Sequence, residues 1–119
     1  MPMKPIRLGV LMDDISSIKP HKDSTFAMML EAQARHWEIY TFDSSDMYYS
    51  DGKVIADSRK TLVNDSESDW HSREDVQPLS LGTLDVVFMR KDPPFDMDYI
   101  YATYLLEQLE SDGVLVVNK

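Results

Sequence analysis

Arg90 and Lys91 follow directly on an apolar run, Val86-Val87-Phe88-Met89, and precede Asp92-Pro93-Pro94-Phe95-Asp96. A strand in an open α/β sheet delivers its carboxyl end to the rim where ligands collect. An arginine there offers a planar fork of donors that fits a carboxylate or a phosphate. The same cations also have a structural use, since they can pair with Asp92 and Asp96. A second candidate is Asp13-Asp14, which closes the apolar run at residues 6–12. Two carboxylates at a strand end can hold Mg2+, or they can stabilise a turn.

Other chemistries are excluded by what the chain lacks. It has no cysteine, so disulfides, thiolate catalysis and cysteine-based zinc sites are out of reach. Gly9, Gly52, Gly82 and Gly113 are far apart, and neither a Walker loop nor a dinucleotide fingerprint can be built from them. His21, His36 and His71 lack metal-ligand spacing. His36 falls near a helix end, where it can serve the dipole. The eight methionines suit gap-filling in a core. A net charge of -9 argues against sequence-independent nucleic-acid binding, which needs a basic footprint. Nine acids between Asp43 and Asp75 face only Lys53, Arg59, Lys60 and Arg73, a balance that reads as solvated surface.

These residues need a scaffold, and 119 residues supply one domain, 1–119. The run at 6–12 reads as a central strand. A helix is expected from residue 23 or 24 to about 37, with Phe26, Met29, Leu30, Ala34 and Trp37 inward. Residues 38–43 read as a strand. Asp51-Gly52 predicts a hairpin between 47–49 and 53–56. Residues 64–78 read as an exposed connection with a short helical turn near Trp70. A strand at 85–89 leads to a helix from Met97 to about Ser111, capped by Asp96, with Ile100, Tyr101, Tyr104, Leu105 and Leu109 inward. Asp112-Gly113 stops that helix, and 114–117 is a last buried strand. The expected fold class is α/β: a Rossmann-like open parallel sheet of about four core strands and two main helices, with an inserted β-hairpin. Residues 13, 43, 90 and 118 would lie along one rim. No segment approaches the ~20 apolar residues that cross a bilayer, and the start is a poor signal-peptide core. The chain reads as cytoplasmic, and its ending on a buried strand suggests a domain of a longer protein.

The wording of several blocks adds to this. Arg90-Lys-Asp-Pro-Pro-Phe-Asp96 with Tyr101-Ala-Thr-Tyr-Leu-Leu-Glu107 resembles the N-terminal domain of bacterial glutathione synthetase. So do Leu8-Gly-Val-Leu-Met-Asp13, Lys22-Asp-Ser-Thr-Phe-Ala-Met28, Leu30-Glu-Ala-Gln33 and Val117-Asn-Lys119, so that the resemblance spans essentially the whole chain. It departs at Asp14, where the family commonly has proline, and this unsettles any role for Asp13-Asp14. The resemblance implies a pre-ATP-grasp domain of a ligase that joins γ-glutamylcysteine to glycine at the expense of ATP. It implies ATP and Mg2+ held by an ATP-grasp domain absent from this chain, so that the chain alone is inactive and binds neither. It also implies a wall of the dipeptide site and subunit contacts in a homo-oligomer, a tetramer in the family. Arg90 then holds a substrate carboxylate. Lys22, Asp23, Ser24 and Thr25 form a second candidate group, because helix N-termini favour anions.

A receiver-like phosphoacceptor domain is the alternative reading, on the strength of length, Asp13-Asp14 and Lys119. Against it stand two long helices where that fold needs more, and a hairpin it has no place for.

Overall fold

A computed structural model describes residues 5–12, 24–63, 71–90 and 97–117. Four strands form its parallel half: β1 (Arg7–Leu11), β2 (Glu38–Phe42), β7 (Val86–Met89) and β8 (Leu115–Val117), side by side in the order β2-β1-β7-β8. The apolar β1 and β7, in the middle, are largely buried on both faces. Strand β8 ends the strand order with Leu115 exposed and Val116 and Val117 half-buried, which corrects the expected buried last strand. Helix α1 (Ser24–Ala34) covers one face, where Phe26, Met29 and Ala32 pack on Leu8, Val10, Met12, Ile39 and Val86. Helix α2 (Met97–Ser111) covers the other, where Ala102, Leu105, Leu106 and Leu109 pack on Leu11, Phe42, Val87 and Met89. Gly9 lies on the α2 face, and a Cβ there would come within 2.7 Å of Leu84 and 3.1 Å of Phe42. Leu84 and Phe42, both of the α2-side core, close over β1 there because that position has no side chain.

Both helices end in the same backbone motif. The Trp37 and His36 amides donate to the carbonyls of Ala32 and Gln33, and those of Val114 and Gly113 donate to Leu109 and Glu110. This Schellman pattern needs a left-handed residue. Gly113 supplies it at φ 99°, as its position predicts, whereas His36 adopts φ 63° with a β-carbon in place.

The remainder is antiparallel and larger than the expected hairpin. Asp51 and Gly52, at φ 51° and 78°, make the tight turn between β3 (Met47–Ser50) and β4 (Lys53–Val63). Both central residues at positive φ is the type I′ geometry that matches strand twist. Strand β4 then runs on for 11 residues and joins the main sheet antiparallel to β2. Along one edge of β4 lie β2 and then β3; along the other lie β5 (His71–Arg73) and β6 (Gln77–Ser80). The sheet is therefore mixed: the expected core of four parallel strands is present, but the hairpin region joins that sheet antiparallel through β4 and is not a separate insertion. The reading of 64–78 as a connection is corrected: 71–73 and 77–80 are strands, because the second edge of β4 leaves backbone donors and acceptors that they pair. Residue 70 lies outside the described residues.

The inward faces of the helices also differ from expectation. Ala34 is exposed, and Ala32 takes the core position. On α2, Leu105 and Leu109 are buried as expected, but Ile100, Tyr101 and Tyr104 are exposed, together with Met97. Ala102 and Leu106 occupy the core instead. The helix carries two apolar stripes at helical spacing, and the one with the smaller residue lets the helix approach the sheet closely.

Gln33 joins α1 to the extension. Its side-chain oxygen accepts from the Val63 amide at 2.8 Å, and its nitrogen donates to the Val63 carbonyl at 2.7 Å. One side chain thus satisfies both backbone groups at the end of β4, which would otherwise be unpaired in a buried place.

Candidate functional site

The register places the strand ends on one rim, with Leu11 opposite both Met89 and Phe42. Arg90 and Asp43 follow directly on these partners. The Arg90 amide donates to the Leu11 carbonyl at 2.7 Å, and the Met12 amide donates to the Phe42 carbonyl at 3.0 Å, extending the ladders by one residue. Alternation along β7 turns the Arg90 side chain to the α1 face, since Phe88 two residues earlier packs against the α1 core. There its Nε donates to Thr25 Oγ1 at 2.9 Å. Thr25 is buried in the first turn of α1.

Two of the residues singled out in the sequence, Arg90 and Thr25, thus meet across 65 positions of chain. The contact fixes the plane of the guanidinium at the amino end of a helix, where backbone donors add to its pull on an anion. Such a corner can bind and orient a carboxylate. Ser24 opens the same helix. Lys22, Asp23, Asp13-Asp14 and residues 91–96 lie outside the described residues.

A second group on the rim escaped the sequence reading. A cleft of about 310 Å3 opens beside Met12 and is lined by Thr41, Asp43, Asp46, Asp57, Arg59 and Arg73. Its origin is a mismatch of register. Thr41 faces Arg59 and Met47 faces Ala56, so the five residues 42–46 span only Asp57 and Ser58 of β4. The surplus folds into a 3₁₀ turn, Ser44–Asp46, and the two edges part. A capping box holds the turn: Asp43 accepts from the Ser44 amide at 2.6 Å, and the Asp43 amide donates to Asp46 at 2.8 Å. The signal available in the sequence was the alternation of β4, which puts Asp57, Arg59 and Thr61 on one face. The surrounding acids hid it.

The opposite rim is a charge network of another kind. Arg7 lies 5.1 Å from the centre of the Tyr40 ring and donates to its hydroxyl at 3.2 Å, and that hydroxyl donates to Glu38 at 2.7 Å. At the amino ends of parallel strands this arrangement fits stability. Among the described residues no three histidines or carboxylates are grouped as a metal ion requires.

Comparison with known proteins bears on the whole chain. The family described as prokaryotic glutathione synthetase, N-terminal domain, matches residues 6–119. A glutathione synthetase of Photorhabdus laumondii is 51% identical over 114 residues, covering 96% of this chain and 36% of that protein. Those of Vibrio vulnificus and Pseudomonas putida are 50% and 49% identical over the same coverage. The chain spans 36% of the length of these relatives. With a match over nearly its full length, the chain belongs to the family of prokaryotic glutathione synthetase N-terminal domains.

Proposed function

We propose that this chain is the substrate-side, pre-ATP-grasp domain, residues 1–119, of a cytoplasmic ligase that forms glutathione from γ-glutamylcysteine and glycine. The observation that carries the reading is the Arg90–Thr25 corner, set at the carboxyl rim of the parallel half of the sheet in a chain of this family. Arg90 binds a substrate carboxylate there, and Thr25 positions its guanidinium. Ser24, Lys22 and Asp23 belong to the same proposed anion-binding group at the start of α1.

ATP supplies the activation of a carboxylate in such a ligase. The residues described here do not fit an ATP or Mg2+ site, since they offer neither a glycine-rich loop nor a grouped set of metal-ligand side chains. No step of bond making is assigned to them. Their part is to hold the dipeptide in one orientation, which lowers the entropic cost of a reaction between bound partners.

Arg90→Ala in the full-length protein tests the assignment. The expected result is a dipeptide KM raised by about 10- to 100-fold, the equivalent of roughly 1.5–3 kcal/mol for a charged hydrogen bond. An unchanged KM and kcat would reject it.

The domain is also proposed to contribute to contacts between copies in a homo-oligomer. Met97, Ile100, Tyr101 and Tyr104 form an exposed apolar stripe on the first turns of α2, while Glu107 and Glu110 follow beyond it. Two α2 helices crossing antiparallel at the stripe would oppose their dipoles and keep these acids outside the overlap. Sedimentation of the full-length protein at micromolar concentration should give an oligomer that Tyr104→Glu disrupts. A monomeric parent protein would contradict this.

A further inference from the structure

Strand β4 loses register with its neighbours on both edges, and each break opens the sheet. The break against β2 and β3 forms the cleft described above. On the other edge Arg73 faces Thr61 and Gln77 faces Ser58, so residues 74–76 lie against Arg59 and Lys60 alone. The extra residue makes a β-bulge, which re-aims the side chains around it. The Glu74 amide still donates to the Lys60 carbonyl at 2.9 Å. Arg73 and Val76 line the first cleft, whereas Glu74, Asp75 and Gln77 line a second one of about 140 Å3 with Tyr40, Ser58, Lys60 and Leu79.

The two clefts lie back to back. Val54 and Ala56 belong to the α2 core, so Ser58 and Lys60 continue that face of β4, while Asp57 and Arg59 take the other. Tyr40 lies opposite Lys60 and Leu79 opposite Ala56, and both pack against the α2 core. Arg90 turns to the α1 face, so the sheet separates the second cleft from the Arg90 corner.

The polar groups of this second cleft are largely unused by the fold. Ser58 is only 4% exposed, and among the described residues its hydroxyl has no hydrogen-bond partner. A buried hydroxyl left so is unfavourable until something satisfies it. Lys60 makes a 3.9 Å approach to Glu38, an ion pair of small worth at its exposure. Among the described residues the side chains of Glu74, Asp75 and Gln77 make no hydrogen bond or ion pair. Tyr40 differs, since Arg7 and Glu38 already engage its hydroxyl and leave its ring as a wall.

We propose that this cleft binds a small free α-amino acid in its zwitterionic form. Ser58 and Lys60, together with the Gln77 amide, take the carboxylate. Glu74 and Asp75, both exposed, take the ammonium. Simpler ions fit less well: inorganic phosphate would meet two carboxylates, and a bare amine would meet Lys60. The volume sets the size. At about 30 Å3 each, roughly four or five waters fill it, which suits glycine or alanine and no longer side chain. The ligand would tie Ser58 of β4 to the bulge that also carries Arg73 and Val76. The site shares no residue with the Arg90 corner, and the inference does not depend on the dipeptide reading.

Calorimetric titration of the full-length protein with L-alanine, propanoate and ethylamine tests it. Alanine should bind at least about tenfold more tightly than either fragment of it. Equal binding of propanoate or ethylamine would overturn the zwitterion assignment, and so would no binding of alanine. Ser58→Ala, Lys60→Met and the pair Glu74→Gln with Asp75→Asn should each weaken alanine by about tenfold. Arg90→Ala should leave it unchanged. Alanine binding that is lost with Arg90 and indifferent to the other substitutions would place it in the Arg90 corner and overturn the proposal. Should Ser58→Ala not fold, the exposed pair at 74 and 75 decides alone. Hydrogen exchange locates the contact: alanine should slow the amides of residues 74–77 in the parent protein and not in Lys60→Met. Slowing confined to other segments would overturn the proposal.

Discussion

The parallel half of this domain and its antiparallel extension bring arginines to the same rim by different means. Arg90 arrives at the end of an apolar strand and is anchored at once by the buried hydroxyl of Thr25. Arg59 and Arg73 arrive in mid-strand and at a short edge strand, and reach a cleft only because the β2–β3 edge carries surplus residues against β4. A strand end is a site by virtue of topology. A mid-strand residue becomes one only through register, and register is a property of two segments together.

This difference can be broken at the link between the halves. Gln33→Ala removes the partner of both Val63 backbone groups and should cost about 1–3 kcal/mol. If the extension opens separately, hydrogen exchange at the carboxyl half of β4 will rise by more than at β1. Equal acceleration in both would mean that the two halves unfold as one unit. A smaller effect of opposite sign is expected at His36. Glycine tolerates the left-handed conformation that His36 holds at φ 63°, so His36→Gly should stabilise the protein by about 1 kcal/mol in thermal unfolding. No gain would mean that the imidazole compensates for its backbone.

The contrast also explains what could be read from the chain. Val86 to Met89 followed by two cations marks a strand end without any knowledge of partners, and so Arg90 was legible. Asp51-Gly52 and Gly113 were legible for the same local reason, since each needs a positive φ. The pairing of Arg90 with Thr25 joins segments 65 residues apart, and no local pattern encodes it. On α2, the exposed stripe of Ile100, Tyr101 and Tyr104 and the buried one of Ala102, Leu105, Leu106 and Leu109 have the same helical period. Only packing against the sheet selects between them. The strands His71–Arg73 and Gln77–Ser80 show no alternation of their own, and they exist because β4 offers them an edge.

The central claim is that Thr25 aims Arg90 at a substrate carboxylate. A double-mutant cycle on γ-glutamylcysteine binding by the full-length protein, with Thr25→Val and Arg90→Ala, measures this directly. The account predicts that Thr25→Val weakens binding several-fold when Arg90 is present and has no further effect once Arg90 is alanine, a coupling of about 0.5–3 kcal/mol. Additive losses, or no loss from either substitution, would contradict it.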